Sequence, residues 1–342
     1  MEDNQLKARR TAVKLMAGEK GLLAMDESYP TCNERFEQIG ISQTPENRRD
    51  YRELLITAPG LSKYISGAIL YDETIRQQTS NGRSFIEVLV KSGIIPGIKV
   101  DMGTARFSGY PGEKITEGLE GLQERLKEYS GKGLLFAKWR AVFAIGDDMP
   151  SDECIKENID YLTKYAELCQ IEGLTPILEP EVLMDGSHSI LRCAETSEKV
   201  LVALFKELKK QNVDLKGILL KTNMVLPGKD ATEQSSLEEV ADATINCLLK
   251  CVPSTLAGIV FLSGGQTSEL ASARLNEMNK PSRPKLPWPL TFSFSRALQY
   301  PAIEIWKGDE KNITEAQAAL CFRAKCNSEA RQGIYNADEE RR

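Results

Sequence analysis

Short runs rich in Ile, Leu, Val and Ala recur along the chain, separated by longer stretches in which apolar residues return every three or four positions. The short runs read as strands buried on both faces, and the 3.6-residue period reads as amphipathic helix. Eight runs qualify: Gly21–Ser28, Ile65–Asp72, Pro96–Asp101, Leu135–Ile145, Thr175–Leu183, Gly217–Val225, Ala257–Ser263 and Pro289–Ser295. Helix patterns cover Ser151–Glu172, Ser197–Gln211, Ser236–Cys251 and Thr267–Asn279, the first opening on a Ser-Asp-Glu cap. Strand–helix units recurring about every 30 to 45 residues predict an α/β fold, a single (β/α)8 TIM barrel. An open doubly wound sheet is the alternative, but no Gly-x-Gly-x-x-Gly follows the first strand. Residues 1–342 read as one barrel domain with an N-terminal helix and a short C-terminal tail. Thr44–Ala58 falls outside the eight units and is expected to decorate the barrel.

Composition narrows the class. Of 342 residues 41% are hydrophobic and 27% charged, which supplies a large core. A net charge of -5 gives no reason to expect nucleic acid or an anionic membrane as partner. The first ten residues, MEDNQLKARR, do not resemble a secretory leader, and no apolar run approaches membrane-spanning length. The eight cysteines show no CxxC, so reduced thiols in a cytoplasmic protein are expected. The single histidine, His188, cannot build a His-rich zinc site, and no metal is expected. Its place in Asp185-Gly186-Ser187-His188 reads as a loop or helix start.

The placement of charges carries the chemistry. Asp26, Lys99, Asp101, Lys138, Arg140, Glu179, Glu181 and Lys221 all stand in or at the C-terminal half of a predicted strand. Burying an ion without partners costs several kcal/mol or more, so such placements are rarely accidental. Lys99/Asp101, Lys138/Arg140 and Glu179/Glu181 are i, i+2 pairs, whose members point to the same side of a strand. Together with Asp26 and Lys221 they predict an inward ring of mixed charge at the barrel's C-terminal mouth, where barrel active sites form. A set of purely structural ion pairs is the plainer alternative for any one pair. Ser263-Gly264-Gly265 closes the seventh strand before a helix, so its backbone N–H groups suit a phosphate, although a simple turn would also use these glycines. Arg296, just after the eighth strand, supplies a matching cation.

The segments MDES (25–28), ENRR (46–49), GIKVD (97–101), FAKWR (136–140), EPE (179–181), LLKTNMV (219–225), FLSGGQ (261–266) and TFSFSRALQ (291–299) resemble the class I fructose-bisphosphate aldolases. The likeness is collinear over nearly the whole chain. It implies a (β/α)8 barrel that cleaves fructose 1,6-bisphosphate reversibly to dihydroxyacetone phosphate and glyceraldehyde 3-phosphate, in glycolysis and gluconeogenesis. It implies no metal or other cofactor, but a covalent imine on Lys221. Glu179 corresponds to the principal acid/base, with Asp26, Lys138 and Glu181 around it. Lys99 and Arg140 match residues on the substrate path. Ser263, Gly264, Gly265, Ser293, Ser295 and Arg296 match positions around the phosphate nearest the ketone, and Ser28 and Arg35 lie nearer the other end of the sugar.

The resemblance further implies a sugar phosphate as partner and a cytoplasmic homotetramer. Thr222 follows the lysine where proline is usual, and Ser295 stands where glycine is common. Tyr29-Pro30-Thr31 and Glu34 depart from the animal pattern around the distal phosphate, which opens the choice between bisphosphate and monophosphate substrates. The short tail looks bacterial, and Tyr335 is expected to pack at a helix end. Two rival readings are another imine-forming barrel enzyme, of the transaldolase or deoxyribose-phosphate aldolase kind, and a non-catalytic scaffold.

Overall fold

The computed structural model describes residues 2–341; Met1 and Arg342, the outermost residues of the leader and tail readings, lie outside the described residues. Eight parallel strands close a barrel: β1 (Gly21–Ala24), β2 (Ile65–Leu70), β3 (Ile95–Lys99), β6 (Phe136–Phe143), β7 (Thr175–Val182), β8 (Leu219–Thr222), β9 (Gly258–Phe261) and β10 (Leu290–Phe294). The spatial order is β1-β10-β9-β8-β7-β6-β3-β2. The fold class is the expected (β/α)8 barrel. Each strand falls inside or within one residue of its predicted run. The strands all end before their runs do; Asp26, Asp72 and Asp101 follow the last paired residues of β1, β2 and β3, whereas Lys138, Arg140, Glu179, Glu181 and Lys221 lie within β6, β7 and β8.

Two further strands, β4 (Thr104–Arg106) and β5 (Lys114–Thr116), form an antiparallel hairpin between β3 and β6 that the hydrophobic pattern did not signal. Each is three residues long and largely polar, too short for a period to register.

The interior follows the period of two. Leu22, Phe136, Ile177, Leu219 and Val260 form one buried cluster inside the barrel. Their i±1 neighbours face the surrounding helices: Leu23, Ala137, Leu178, Leu220 and Phe261 belong to the outer core. Large rings are matched to glycines. A Cβ on Gly97 would lie 2.3 Å from the Phe136 ring, and one on Gly21 2.5 Å from Phe292.

Helix α1 (Glu2–Leu15) closes the N-terminal end of the barrel. Ala12 and Leu15, with the following Met16, join the inner cluster. Gly67 and Gly258 leave room for Leu15 and Met16 respectively. The carbonyls of Ala8 and Leu15 accept hydrogen bonds from Thr175 (2.7 Å) and Ser66 (2.6 Å).

The remaining helices are α2 (Tyr29–Gln38), α3 (Pro45–Ile56), α4 (Asp72–Arg76), α5 (Phe85–Lys91), α6 (Leu122–Gly131), α7 (Asp152–Ile171), α8 (Ile190–Lys210), α9 (Leu237–Cys251), α10 (Ser268–Asn279), α11 (Arg296–Trp306) and α12 (Ile313–Gln332). Helix α8 begins seven residues before the expected Ser197, because Ser189 caps it by accepting from the Arg192 N–H. Helix α3 is more than the expected decoration. Arg48, Tyr51 and Arg52 on it are buried, and Tyr51 stacks on Trp306 of α11 at 5.7 Å. Among the described residues no helix is long and apolar enough to cross a membrane. All eight cysteines are free.

Candidate active site

In the strands that carry the charges, the same inward face that is apolar below turns polar toward the C-terminal end. Phe136 is followed by Lys138 and Arg140, Ile177 by Glu179 and Glu181, Leu219 by Lys221, and Leu22 by Ala24 and Asp26. The parallel register sets Arg140 beside Glu179 and Val142 beside Glu181. The charged side chains therefore stand on an apolar floor and open into a cavity of about 460 Å³ at the C-terminal mouth.

The centre is a chain of four buried ions. Lys221 Nζ lies 3.0 Å from Glu179 Oε1. Lys138 Nζ lies 3.0 Å from Glu179 Oε2 and 2.8 Å from Asp26 Oδ2. Burial alone would push Glu179 up, but Lys138, Lys221 and Arg140 outweigh it and hold the carboxyl at about 2. Burial opposes the charge on Lys138, yet Asp26, Glu179 and Asp101 raise its proton affinity above that of an ordinary lysine.

Around this core the cations are nearly all paired. Arg140 bonds Glu181 through Nε, and Lys99 Nζ sits 2.6 Å from Asp101. Asp101 also accepts from the backbone N–H groups of Gly103 and Arg140, which ties the hairpin to the mouth. Arg35 Nη1 lies 2.6 Å from Glu27, and its Nη2 donates to Ser295 Oγ at 3.1 Å.

Arg296, at the start of α11, has no ion-pair partner among the described residues and lines the cavity. Burial and the neighbouring Arg35 lower its proton affinity; Glu181 opposes them and Arg140 adds to them. An exposed guanidinium with no ion-pair partner among the described residues is a ready anion site. Beside it, Ser263, Gly264 and Ser293 line the same cavity, and the buried Ser293 hydroxyl has no hydrogen-bond partner among the described residues. Gly264 and Gly265 have φ of 59° and 91°, a left-handed turn that only glycine adopts freely before α10. Gln266 Nε2 donates to the Ser263 carbonyl (2.9 Å) and its Oε1 accepts from the buried Arg274 (2.9 Å), so the loop is braced from behind.

Asp26, Ser28, Arg35, Lys99, Lys138, Arg140, Glu179, Glu181, Lys221, Ser263, Gly264, Ser293, Ser295 and Arg296 thus share one cavity. Gly265 does not line it; this glycine sits in an adjoining cleft with Arg296 and Tyr300. His188 lies in the loop before α8, where its carbonyl accepts from the Gly228 N–H. Tyr335 is buried past the end of α12, with its N–H on Asn276 and its hydroxyl on Glu340.

Sequence reasoning missed Glu27. It lies beside Asp26, buried at the edge of the same cavity, where it accepts from Arg35, Arg52, Ser295 and Gln299. It stands past the end of β1, where strand alternation no longer fixes a direction, and a buried carboxylate needs cations. Of the two cations that answer it, Arg52 belongs to the basic run at 48–52 and Arg35 to α2.

A closed barrel with a buried lysine–carboxylate chain and an unpaired arginine beside a glycine turn defines an acid–base barrel enzyme fitted to an anionic small molecule. The family description "Fructose-bisphosphate aldolase class-I" matches residues 7–342. A probable class 1 fructose-bisphosphate aldolase of Xanthomonas axonopodis pv. citri is 53% identical over 326 residues, covering 95% of this chain and 97% of that protein. The cytosolic fructose-bisphosphate aldolase 4 of Arabidopsis thaliana is 48% identical, covering 94% and 81%. The fructose-bisphosphate aldolase of Plasmodium falciparum, solved in complex with TRAP and a small-molecule inhibitor, superposes with a TM-score of 0.96 at 44% identity, over 98% of this chain and 97% of that one. The chain belongs to the class I fructose-bisphosphate aldolases, aldehyde-lyases that act through a lysine imine without a metal.

Proposed function

We propose that Lys221 is the residue through which this chain carries out aldol cleavage of fructose 1,6-bisphosphate. The observation that carries the assignment is the unequal pairing of the two central lysines. Lys138 is held by two carboxylates, Asp26 and Glu179, and its proton affinity is raised. It acts as a fixed cation. Among the described residues Lys221 pairs with Glu179 alone, so a single proton transfer to a carboxylate 3.0 Å away frees its amine.

The amine adds to the ketone carbon, giving a carbinolamine whose hydroxyl leaves as water when Glu179 supplies a proton. Glu179 is ionised at rest, which suits a base. Once the Lys221 nitrogen is a neutral carbinolamine, one of the charges holding Glu179 ionised is gone and its affinity for a proton rises. In the imine that follows, a carboxylate takes the C4 hydroxyl proton and the C3–C4 bond breaks. Its electron pair becomes an enamine, and glyceraldehyde 3-phosphate departs. Protonation at C3 and hydrolysis return the amine and release dihydroxyacetone phosphate. Asp26 holds substrate hydroxyls and balances the lysines, while Glu181 keeps Arg140 in place on the substrate path beside Lys99. Ser263, Gly264, Ser293, Ser295 and Arg296 take the phosphate nearest the ketone, with Gly265 shaping the turn behind them, and Ser28 and Arg35 lie toward the other end.

Borohydride reduction in the presence of fructose 1,6-bisphosphate, followed by peptide mass spectrometry, tests this. A reduced adduct on Lys221 is expected; an adduct on Lys138 or Lys99 instead would reverse the assignment. Our reading further takes the enzyme to be a cytoplasmic homotetramer, supported by the family resemblance and the cytosolic Arabidopsis relative. Light scattering of the purified chain at a monomer's mass would reject the tetramer.

A further inference from the structure

A buried cation stands behind the glycine turn and takes no part in the chemistry above. Arg274 lies roughly two turns into α10, and helical side chains lean toward the N-terminal end of their helix. Its long side chain therefore reaches back toward Ser263-Gly264-Gly265. Arg274 is only 4% exposed and has no ion-pair partner among the described residues. Glu277, one turn further along α10, is taken by Lys280 and Arg283. Burial pulls the guanidinium down to about 10, which still leaves it charged at neutral pH. A buried charge without a counter-ion is costly, so its presence calls for a reason.

Its hydrogen bond supplies one. Nη1 of Arg274 donates to Gln266 Oε1 at 2.9 Å. A guanidinium only donates, so the amide oxygen of Gln266 must face it and the amide nitrogen must face away. That nitrogen donates to the Ser263 carbonyl at 2.9 Å, which also accepts from the Gln266 N–H at 3.0 Å. With its carbonyl held toward Gln266, the trans Ser263–Gly264 peptide points its N–H the opposite way. Gly264 lines the cavity, and its N–H has no partner among the described residues.

We propose that Arg274 is a positioning residue for anion binding. Through Gln266 it holds the Gly264 N–H toward the cavity, and its charge strengthens the binding of a phosphate there. The inference rests on the aldolase reading above and adds to it a residue that never touches the sugar.

The test compares the full-length protein with Arg274→Met and Arg274→Lys at pH 7. Lysine keeps a cation that can only donate, and methionine removes both the charge and the donor. Titration calorimetry with inorganic phosphate should show affinity falling about threefold to tenfold in Arg274→Met and staying within about twofold of native in Arg274→Lys. KM for fructose 1,6-bisphosphate should rise by a similar factor in Arg274→Met, with kcat within about twofold of native. Native affinity in Arg274→Met would overturn the proposal, and so would equal losses in the two variants. Because the methionine relieves the cost of a buried charge, Arg274→Met should melt within a few degrees of native. A variant that fails to fold would show the guanidinium to be a structural prop and would also overturn the proposal. Failure of the unmutated protein to cleave fructose 1,6-bisphosphate would instead reject the aldolase reading, and the phosphate titrations would still decide the role of Arg274.

Discussion

At the scale of single residues, the site depends on who shares Glu179. Two ammonium groups and a guanidinium hold this buried carboxyl at about 2. Its folded value lies below an unfolded value near 4.3, so its contribution to stability is complete above about pH 4.3 and is lost as pH falls toward 2. Urea midpoints measured between pH 6 and pH 3 should therefore fall less steeply for Glu179→Gln than for the native protein; parallel slopes would show that the carboxyl is not held this way. Lys221→Met should lower cleavage on the order of 10⁴-fold or more, the range found when a nucleophile is removed, with the circular dichroism spectrum unchanged. Residual turnover within tenfold of native would move the chemistry to another lysine. These residues were legible because their charges interrupt apolar strands, where burial makes a charge conspicuous. Glu27 was not, because its partners Arg35 and Arg52 come from two helices that only the fold brings together.

At the scale of elements, the mouth is built from loops that brace one another. The loops after β7 and β8 pair through backbone: Gly228 N–H to the His188 carbonyl at 2.8 Å, Lys229 N–H to Met184 at 2.7 Å and Asp230 N–H to Gly186 at 3.0 Å. Met184 in turn leans on the phosphate-side glycines, its sulfur 3.5 Å from where a Cβ on Gly264 would stand. A Cβ on Gly228 would meet the Gly186 carbonyl oxygen at 2.1 Å, a backbone clash that no rotamer relieves. Gly228→Ala should therefore part the two loops, lowering Tm by several degrees through about 1–3 kcal/mol of destabilisation and raising KM for the sugar phosphate. An unchanged Tm and KM would mean that the pairing is not rigid. The strands were foreseeable from their buried apolar runs. Hairpin β4–β5 was not, since its six residues bury only Ile115 as an apolar side chain and it is held by Met102 and Phe107 N–H bonds to the carbonyls of Glu117 and Glu113.

At the scale of the whole molecule, α1 plugs one end of the barrel with Leu15 and Met16, and the charged ring occupies the other. The class I aldolases act without a metal, and the mechanism proposed through the ring uses only the chain's own side chains. Dialysis against EDTA should leave cleavage within about twofold of native, far from the several kcal/mol that a catalytic metal supplies. Activity lost to the chelator and restored by zinc would refute the metal-free mechanism. By itself the sequence determined the barrel, its eight strands and the residues facing the mouth, because burial on both faces and a period of two are local properties written in consecutive residues. It did not determine the burial of α3 or the hub at Glu27. Each of these is settled by groups far apart in the chain that meet only when the barrel closes, and the strength of an ion depends on which partners closure brings within reach.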